Sequence, residues 1–171
     1  MPKGLKQTSS TVSIGFSVDE SAANTFTEGT VDLNLSPLDR EVFVVLAINL
    51  DPFTPDLVDG TDTKVESSLT TTSQASAAIP ANLSNANCLA ASGNFIKSAT
   101  GVAAAFQSMG SETPPATLDY IGIIATNDFF VQVMGRNNTK AHGVDGKLYG
   151  YRAVADADIY AALVQSEVLS A

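Results

Sequence analysis

The sequence predicts an all-β fold, with about eight antiparallel strands in a jelly roll or β-sandwich and one short C-terminal helix. Several short segments alternate apolar and polar side chains with a period of two, as expected of strands that bury one face. Turn-forming residues separate these segments at the spacing typical of sandwiches. Strand-like segments do not alternate with helical ones, so a parallel α/β sheet is not expected.

Four strands are predicted in the first half of the chain. Residues 11–18 and 31–35 alternate apolar and polar side chains. Residues 36–39 have turn chemistry, so we expect a hairpin-like connection from the second strand to the third, residues 41–50. Within that third strand, the unbroken apolar run 42–48 predicts a central strand covered on both faces.

The middle of the chain gives a weaker pattern. Residues 51–62 contain two prolines and are predicted to form an exposed acidic loop, and the fourth strand follows at 63–72. From residue 73 to 110 alanine and serine dominate, and neither period fits the whole length. We expect short helical turns near 85–91 and a strand near 101–107.

The final third predicts three more strands and the helix. Residues 118–125 and 129–134 are strand-like, and Asn127-Asp128 suits a tight reversal that would pair them antiparallel. Residues 147–154 have the aromatic content of another strand. A short helix is expected over 157–165. The residues assigned to it are Asp156 as the cap and Ile159, Ala162 and Leu163 on its inner side.

Length and composition predict a single β domain over residues 1–171, with residues 1–10 as an N-terminal arm. The net charge of -9 disfavours a broad nucleic-acid-binding surface, and the longest apolar run is too short to span a bilayer. Lys3 and Lys6 are followed by polar residues, so no signal peptide is expected. Only 16% of the residues are charged, which favours packing of many copies, because interface centres are depleted in charge.

The sequence predicts no catalytic, cofactor-binding or metal-binding residues. Cys88 and His142 are the single cysteine and histidine, and we interpret them as an unreactive thiol and a solvated loop side chain rather than a dyad. Asp156 and Asp158 are interpreted as first-turn helix carboxylates. Four aspartates of the acidic loop could offer oxygen ligands to calcium: Asp51, Asp56, Asp59 and Asp62. We favour the interpretation that they keep the loop solvated and form its turns.

The pattern as a whole resembles the small single jelly-roll capsid proteins of tail-less bacterial and archaeal DNA viruses. The resemblance covers roughly residues 11–155 and lies in segment 31–40 leading into strand 41–50, and in the strand pair 120–133. It implies a virion protein without catalytic activity, whose partners are copies of itself in homo-oligomeric capsomers and other capsid proteins. The chain departs from capsid proteins that carry a long arginine-rich arm, so direct nucleic-acid binding is not expected. Membrane insertion is not expected either, because the apolar runs are short.

Two other classes compete with the shell subunit. A β-sandwich binding module, such as a fibre, spike or adhesin domain, would recognise a carbohydrate or host surface through exposed aromatics. Tyr149 and Tyr151 share one face of a predicted strand, which either a binding platform or a buried sheet face would produce. An enzyme is less favoured, because no set of acid, base and nucleophile can be assigned.

Overall fold

A computed structural model describes residues 2–108, 111–112 and 117–170. Within these ranges the chain forms an all-β sandwich of two antiparallel sheets, with six and five strands, followed by one helix at the C-terminal end. This confirms the predicted fold class. Among the described residues, no helix has the length and apolar character needed to cross a membrane.

The six-stranded sheet has β11 and β4 at its centre. Its strands are β1 (Leu5–Gln7), β2 (Val12–Asp19), β4 (Glu41–Pro52), β8 (Ser111–Glu112), β9 (Gly122–Ile124) and β11 (Gly143–Ala155). β1 and β2 both pair with one edge of β11, β4 pairs with the other edge, and β8 and β9 pair with β4.

The five-stranded sheet runs in the order β3, β10, β5, β6, β7. Its strands are β3 (Thr27–Asp32), β5 (Thr63–Thr70), β6 (Cys88–Ala99), β7 (Val102–Ser108) and β10 (Asp128–Arg136). Four antiparallel pairs are nested along the chain, β2 with β11, β3 with β10, β4 with β9 and β5 with β6. Successive nested pairs lie in alternate sheets, so the chain crosses between layers at each step.

This alternation makes two predicted hairpins wrong. Residues 36–39 connect β3 to β4, and these strands lie in different sheets. Residues 118–125 and 129–134 do not pair either, because β9 pairs with β4 while β10 pairs with β3 and β5. Asn127 is still structurally important, since its carbonyl and side-chain oxygens accept the backbone N–H groups of Leu33 and Leu35 at 2.7 Å.

Several predicted boundaries are also corrected. The helical turns expected near 85–91 are wrong from Cys88 onwards, where β6 begins and extends for 12 residues. Only one turn forms, in which the Cys88 N–H donates to the Asn85 carbonyl oxygen at 3.0 Å. The strand expected at 31–35 runs from Thr27 to Asp32, although Leu33 and Leu35 beyond its end are buried in the core.

The unbroken apolar run of β4 is covered on both faces, as predicted. Phe43 and Val45 point into the core between the sheets. Val42 and Val44 belong to a second apolar cluster on the outer face of the six-stranded sheet. All four side chains are at most 1% exposed. The sandwich therefore continues into a third layer, which the C-terminal helix forms.

That helix, α1 (Ala157–Leu169), is four residues longer at its C-terminal end than the predicted one. Ile159 and Leu163 pack on the outer cluster as expected, whereas Ala162 is exposed and does not. Glu167 is buried at the far end, where its carboxylate accepts the backbone N–H groups of Ala125 and Thr126 at 3.0 and 2.9 Å. The helix is thereby fixed to the end of β9.

Part of the predicted N-terminal arm belongs to the sheet. Residues 5–7 form β1, which pairs with residues 153–155 of β11. Leu5 is buried in the outer cluster beside Ala155. The start of the chain therefore packs next to α1.

Candidate functional site

One side of the molecule is almost free of charge. Lys97 is the only charged residue between Ser67 and Ser111, in a chain that carries 18 acidic and 9 basic residues. This stretch contains half of β5, the β5–β6 loop (residues 71–87), β6 and β7. We call the part formed by the loop, β6 and β7 the neutral face.

The β5–β6 loop is attached to the sheet by polar contacts. Gln132 of β10 is fully buried, with its side chain hydrogen-bonded to Ser68 Oγ at 2.6 Å and Thr70 Oγ1 at 2.8 Å. Glu28 of β3 accepts a hydrogen bond from Gln132 and another from the backbone N–H of Gln74 in the loop. The polar side chains on the outer side of this sheet thus have hydrogen-bond partners. The apolar residues of the loop do not cover them and are exposed to solvent.

Those apolar residues border an open groove. Ile79 and Leu83 in the loop are 50% and 65% exposed. The groove holds about 440 Å³ and lies between the loop and the sheet. Phe95 and the ion pair of Arg136 with Glu66, 3.4 Å apart, also line its wall. Isolated exposed apolar residues are ordinary, but a cluster of them beside a groove is typical of a contact surface.

β7 is the edge strand of the neutral face. Every residue from Val102 to Gln107 is exposed, with Val102 at 71% and Phe106 at 57%. Its pairing with β6 covers seven consecutive residues without a register shift. The strand therefore presents an uncharged and largely apolar edge without a bulge.

The sandwich is open beside β7 and closed at the opposite side. A cleft of about 530 Å³ lies between residues 51–55 and strands β6 and β7, with Phe53 and Phe106 at its walls. At the opposite edge, a Cβ built on Gly29 of β3 would lie 2.5 Å from Val18 of β2, so the two sheets touch there. Four exposed large apolar side chains lie on this side of the sandwich: Phe53, Leu57, Val102 and Phe106. Others, such as Leu38, Leu118 and Val168, lie elsewhere.

A buried polar network at one end of the sandwich was not found from the sequence. Glu20 is 5% exposed and accepts the backbone N–H groups of Thr25, Gly135 and His142 at 2.6–3.0 Å. Asp56 accepts two hydrogen bonds from Thr139 and one from the Lys140 N–H. These contacts tie three loops together, and no local sequence pattern indicates them because the partners are up to 122 residues apart.

Asp56 is the one carboxylate here with a strongly shifted pKa. Hydrogen bonds from the Thr139 side chain and from the Thr139 and Lys140 N–H groups lower it from 3.8 to about 2, against an opposing effect of desolvation. His142 lies beside it, with Nε2 at 3.4 Å from Asp56 Oδ1. The predicted solvated histidine is therefore mostly buried, with a side chain 12% exposed.

The structure does not bring Cys88 and His142 together. Cys88 is opposite Thr70 at one end of β5, and its thiol lies 3.3 Å from the Ala90 carbonyl oxygen. Asp56, the neighbour of His142, accepts a hydrogen bond from Thr63 at the other end of β5. At about 3.4 Å per residue, roughly 20 Å of strand separates the two ends.

The aspartates of the acidic loop have separate partners. Asp59 accepts the backbone N–H of Gly101 at 2.9 Å, while Asp62 pairs with Lys97 at 2.7 Å. Among the described residues, no three Asp, Glu, His or Cys side chains converge as a metal site would require. In this region the carboxylates fix the loop to the β6–β7 hairpin.

The remaining candidate residues have different surroundings. Tyr149 and Tyr151 lie on the outer side of β11, but Tyr149 is 37% exposed while Tyr151 is 7% exposed and belongs to the outer cluster. Asp156 occupies the N-cap position of α1 without a side-chain capping hydrogen bond, and Asp158 lies in the first turn. Only Tyr149 of this pair of aromatics is available to a ligand.

Comparison of the sequence with models of known protein families and with curated proteins finds no match. The functional argument therefore rests on the geometry of this chain. The neutral face differs most from an ordinary surface, because it combines low charge with exposed apolar side chains. Its lack of charge is visible in the sequence, whereas the exposure of β7 is not.

Proposed function

We propose that this chain is a viral structural protein, a capsid subunit that assembles with copies of itself into a shell and performs no catalysis. The observation that carries the proposal is the neutral face, with the exposed apolar residues of the β5–β6 loop and of β7. A chain of net charge -9 repels its own copies wherever acidic surfaces meet. Copies can pack closely only through a face that brings no like charges together.

The connectivity of the sandwich supports the same proposal. Nested antiparallel pairs that alternate between two sheets are the arrangement of a jelly roll, an architecture common in viral capsid proteins. Lectins and cupins share this architecture, so it favours a shell subunit only together with the surface. The resemblance of residues 11–155 to small single jelly-roll capsid proteins points the same way.

The binding-module alternative has less support. A platform of two tyrosines would need both rings at the surface, and Tyr151 is buried beneath the outer layer. Direct binding of a nucleic acid is not part of the proposal either, because the phosphate backbone is attracted by clustered basic residues and this chain has an acidic excess.

The test is the mass of the purified chain in solution. Mass photometry and negative-stain electron microscopy, over a range of concentration, salt and pH, are expected to detect oligomers and regular particles or sheets. A chain that stays monomeric at high concentration under all conditions would overturn the proposal. Micrographs of the native source would add a direct comparison, since particles containing this chain are expected there.

A further inference from the structure

We infer that β7 is the contact between two copies of this chain, whose β7 strands pair edge to edge and antiparallel, so that two five-stranded sheets join into one continuous sheet. This inference rests on the proposed function, and it names the surface through which the copies meet. It follows from the state of the strand edges in the sandwich, from the charges near the β6–β7 hairpin and from the side chains of β7.

The outer edge of β7 carries backbone N–H and C=O groups that can pair with another strand. In an antiparallel pair every second residue directs its N–H and C=O away from the neighbouring strand. Among residues 2–108, 111–112 and 117–170, no strand pairs with that edge of β7. The regular seven-residue register with β6 keeps these groups in line, as strand addition requires.

The other edge strands have protection that β7 lacks. β1, β8 and β9 are only two or three residues long. β3 carries Glu28 and Asp32, and its edge lies against β2 through Val18 and Gly29. β2 ends in Asp19 and exposes serines on its outer side. β7 has no charge, proline or bulge along its length, and those are the devices that normally prevent edges from pairing.

Charge near the hairpin tip selects the antiparallel orientation. Asp59 is hydrogen-bonded to the Gly101 N–H, directly beside the start of β7. Parallel pairing of two β7 strands would place both copies of Asp59 side by side. Antiparallel pairing separates the two tips by the length of the strand, about 20 Å, which is more than twice the screening length of about 8 Å at physiological salt.

The side chains of β7 suit this orientation. Val102, Ala104 and Phe106 alternate onto one face of the strand, because they pair with Ala99, Lys97 and Phe95 of β6. A two-fold axis near Ala104 brings Val102 of one copy close to Phe106 of the second copy, and the two alanines meet at the centre. An aromatic side chain across from a β-branched one is a favourable cross-strand pair.

The experiment uses opposite charges at Ala105. This side chain is exposed and pairs with the uncharged Ile96 of β6. Asp51 lines the same cleft, so using both charges separates an effect of that carboxylate from an effect of pairing between copies. Ala105→Lys and Ala105→Glu chains are each expected to associate at least about tenfold more weakly than the wild type, because the two like charges become diagonal neighbours across the two-fold axis, about 7–8 Å apart, on an edge that is otherwise uncharged. An equimolar mixture of the two should associate again. Mass photometry measures all three samples at low salt, and circular dichroism checks folding.

The matched controls are Leu38→Lys and Leu38→Glu, which change the net charge equally at a side chain that is 96% exposed in the β3–β4 turn. They should associate like the wild type. If the wild type associates and the Ala105 variants do so equally well, β7 is not the contact, although the proposed function stands. If both variants are monomeric and their mixture does not recover, β7 meets a different surface and edge-to-edge pairing is wrong. A wild type that never associates would overturn both proposals.

Discussion

Replacing Val44 or Val45 by threonine tests whether β4 is covered on both faces. The two side chains are adjacent, point to opposite sides of the sheet and are both fully buried. Threonine keeps the shape of valine but buries a hydroxyl group, at a cost of about 1–3 kcal/mol when no partner is present. Each variant should therefore lose about 1–3 kcal/mol of unfolding free energy. With a slope of about 2 kcal/mol per molar urea, the unfolding midpoint should fall by about 0.5–1.5 M.

Equilibrium urea unfolding followed by circular dichroism measures this effect, and Val12→Thr is the matched control. Val12 is 39% exposed on β2, so its change should stay within about 0.5 kcal/mol. A loss at Val45 with none at Val44 would refute the argument, because it would mean that α1 leaves the outer face of β4 open to water. If Val44→Thr retained its stability but no longer assembled, that face would be covered by another copy rather than by α1.

Two further predictions concern polar groups. Ser67 Oγ is buried and has no hydrogen-bond partner among the described residues, so Ser67→Ala should raise stability by about 1 kcal/mol and the thermal midpoint by about 2–4 °C in a calorimetric scan. A lower midpoint would mean that the hydroxyl has a partner. The pKa of Asp56 is about 2 in the folded protein and 3.8 as its ordinary value. Its ionised form therefore stabilises the fold above about pH 4, and this contribution is lost as the pH falls towards 2. Asp56→Asn should flatten the stability profile over that range, and an unchanged acid slope in urea unfolding would contradict the assignment.

The strands that are predicted best from the sequence are those in which the order of apolar and polar side chains matches the burial of each face. β4 is recognisable because both of its faces are apolar, and β2 because only one of them is. β6 could not be predicted, since alanine, serine and glycine give no period and the sheet face beneath the β5–β6 loop is satisfied by hydrogen bonds. The pairing of β9 with β4 rather than β10 depends on the crossing between layers, which turn chemistry at Asn127 does not specify.

Some features of the neutral face can be predicted from the sequence, and others depend on the fold. Between Ser67 and Ser111 the sequence has a single charged residue, Lys97, so the low charge of this stretch can be found from the sequence alone. The exposure of β7 depends on its place at the end of a sheet, and the cleft beside it depends on how far the two layers separate. The Glu20 network likewise exists only after distant loops have met. Composition therefore indicates a stretch of chain that is nearly free of charge, and topology determines where that stretch lies on the surface.

The response of assembly to salt distinguishes a neutral contact from one held by ion pairs. If copies meet along β7, their attraction is apolar and hydrogen-bonded, while the net charge of -9 on each copy opposes it over a longer range. Raising the ionic strength shortens the screening length from about 10 Å at 0.1 M to about 3 Å at 1 M, so repulsion weakens and association should strengthen. Light scattering at fixed protein concentration measures this. The Ala105→Lys and Ala105→Glu mixture is the internal control, because its contact contains opposite charges and should weaken over the same range. Dissociation of the wild type by salt would mean that charged residues outside the neutral face hold the copies together.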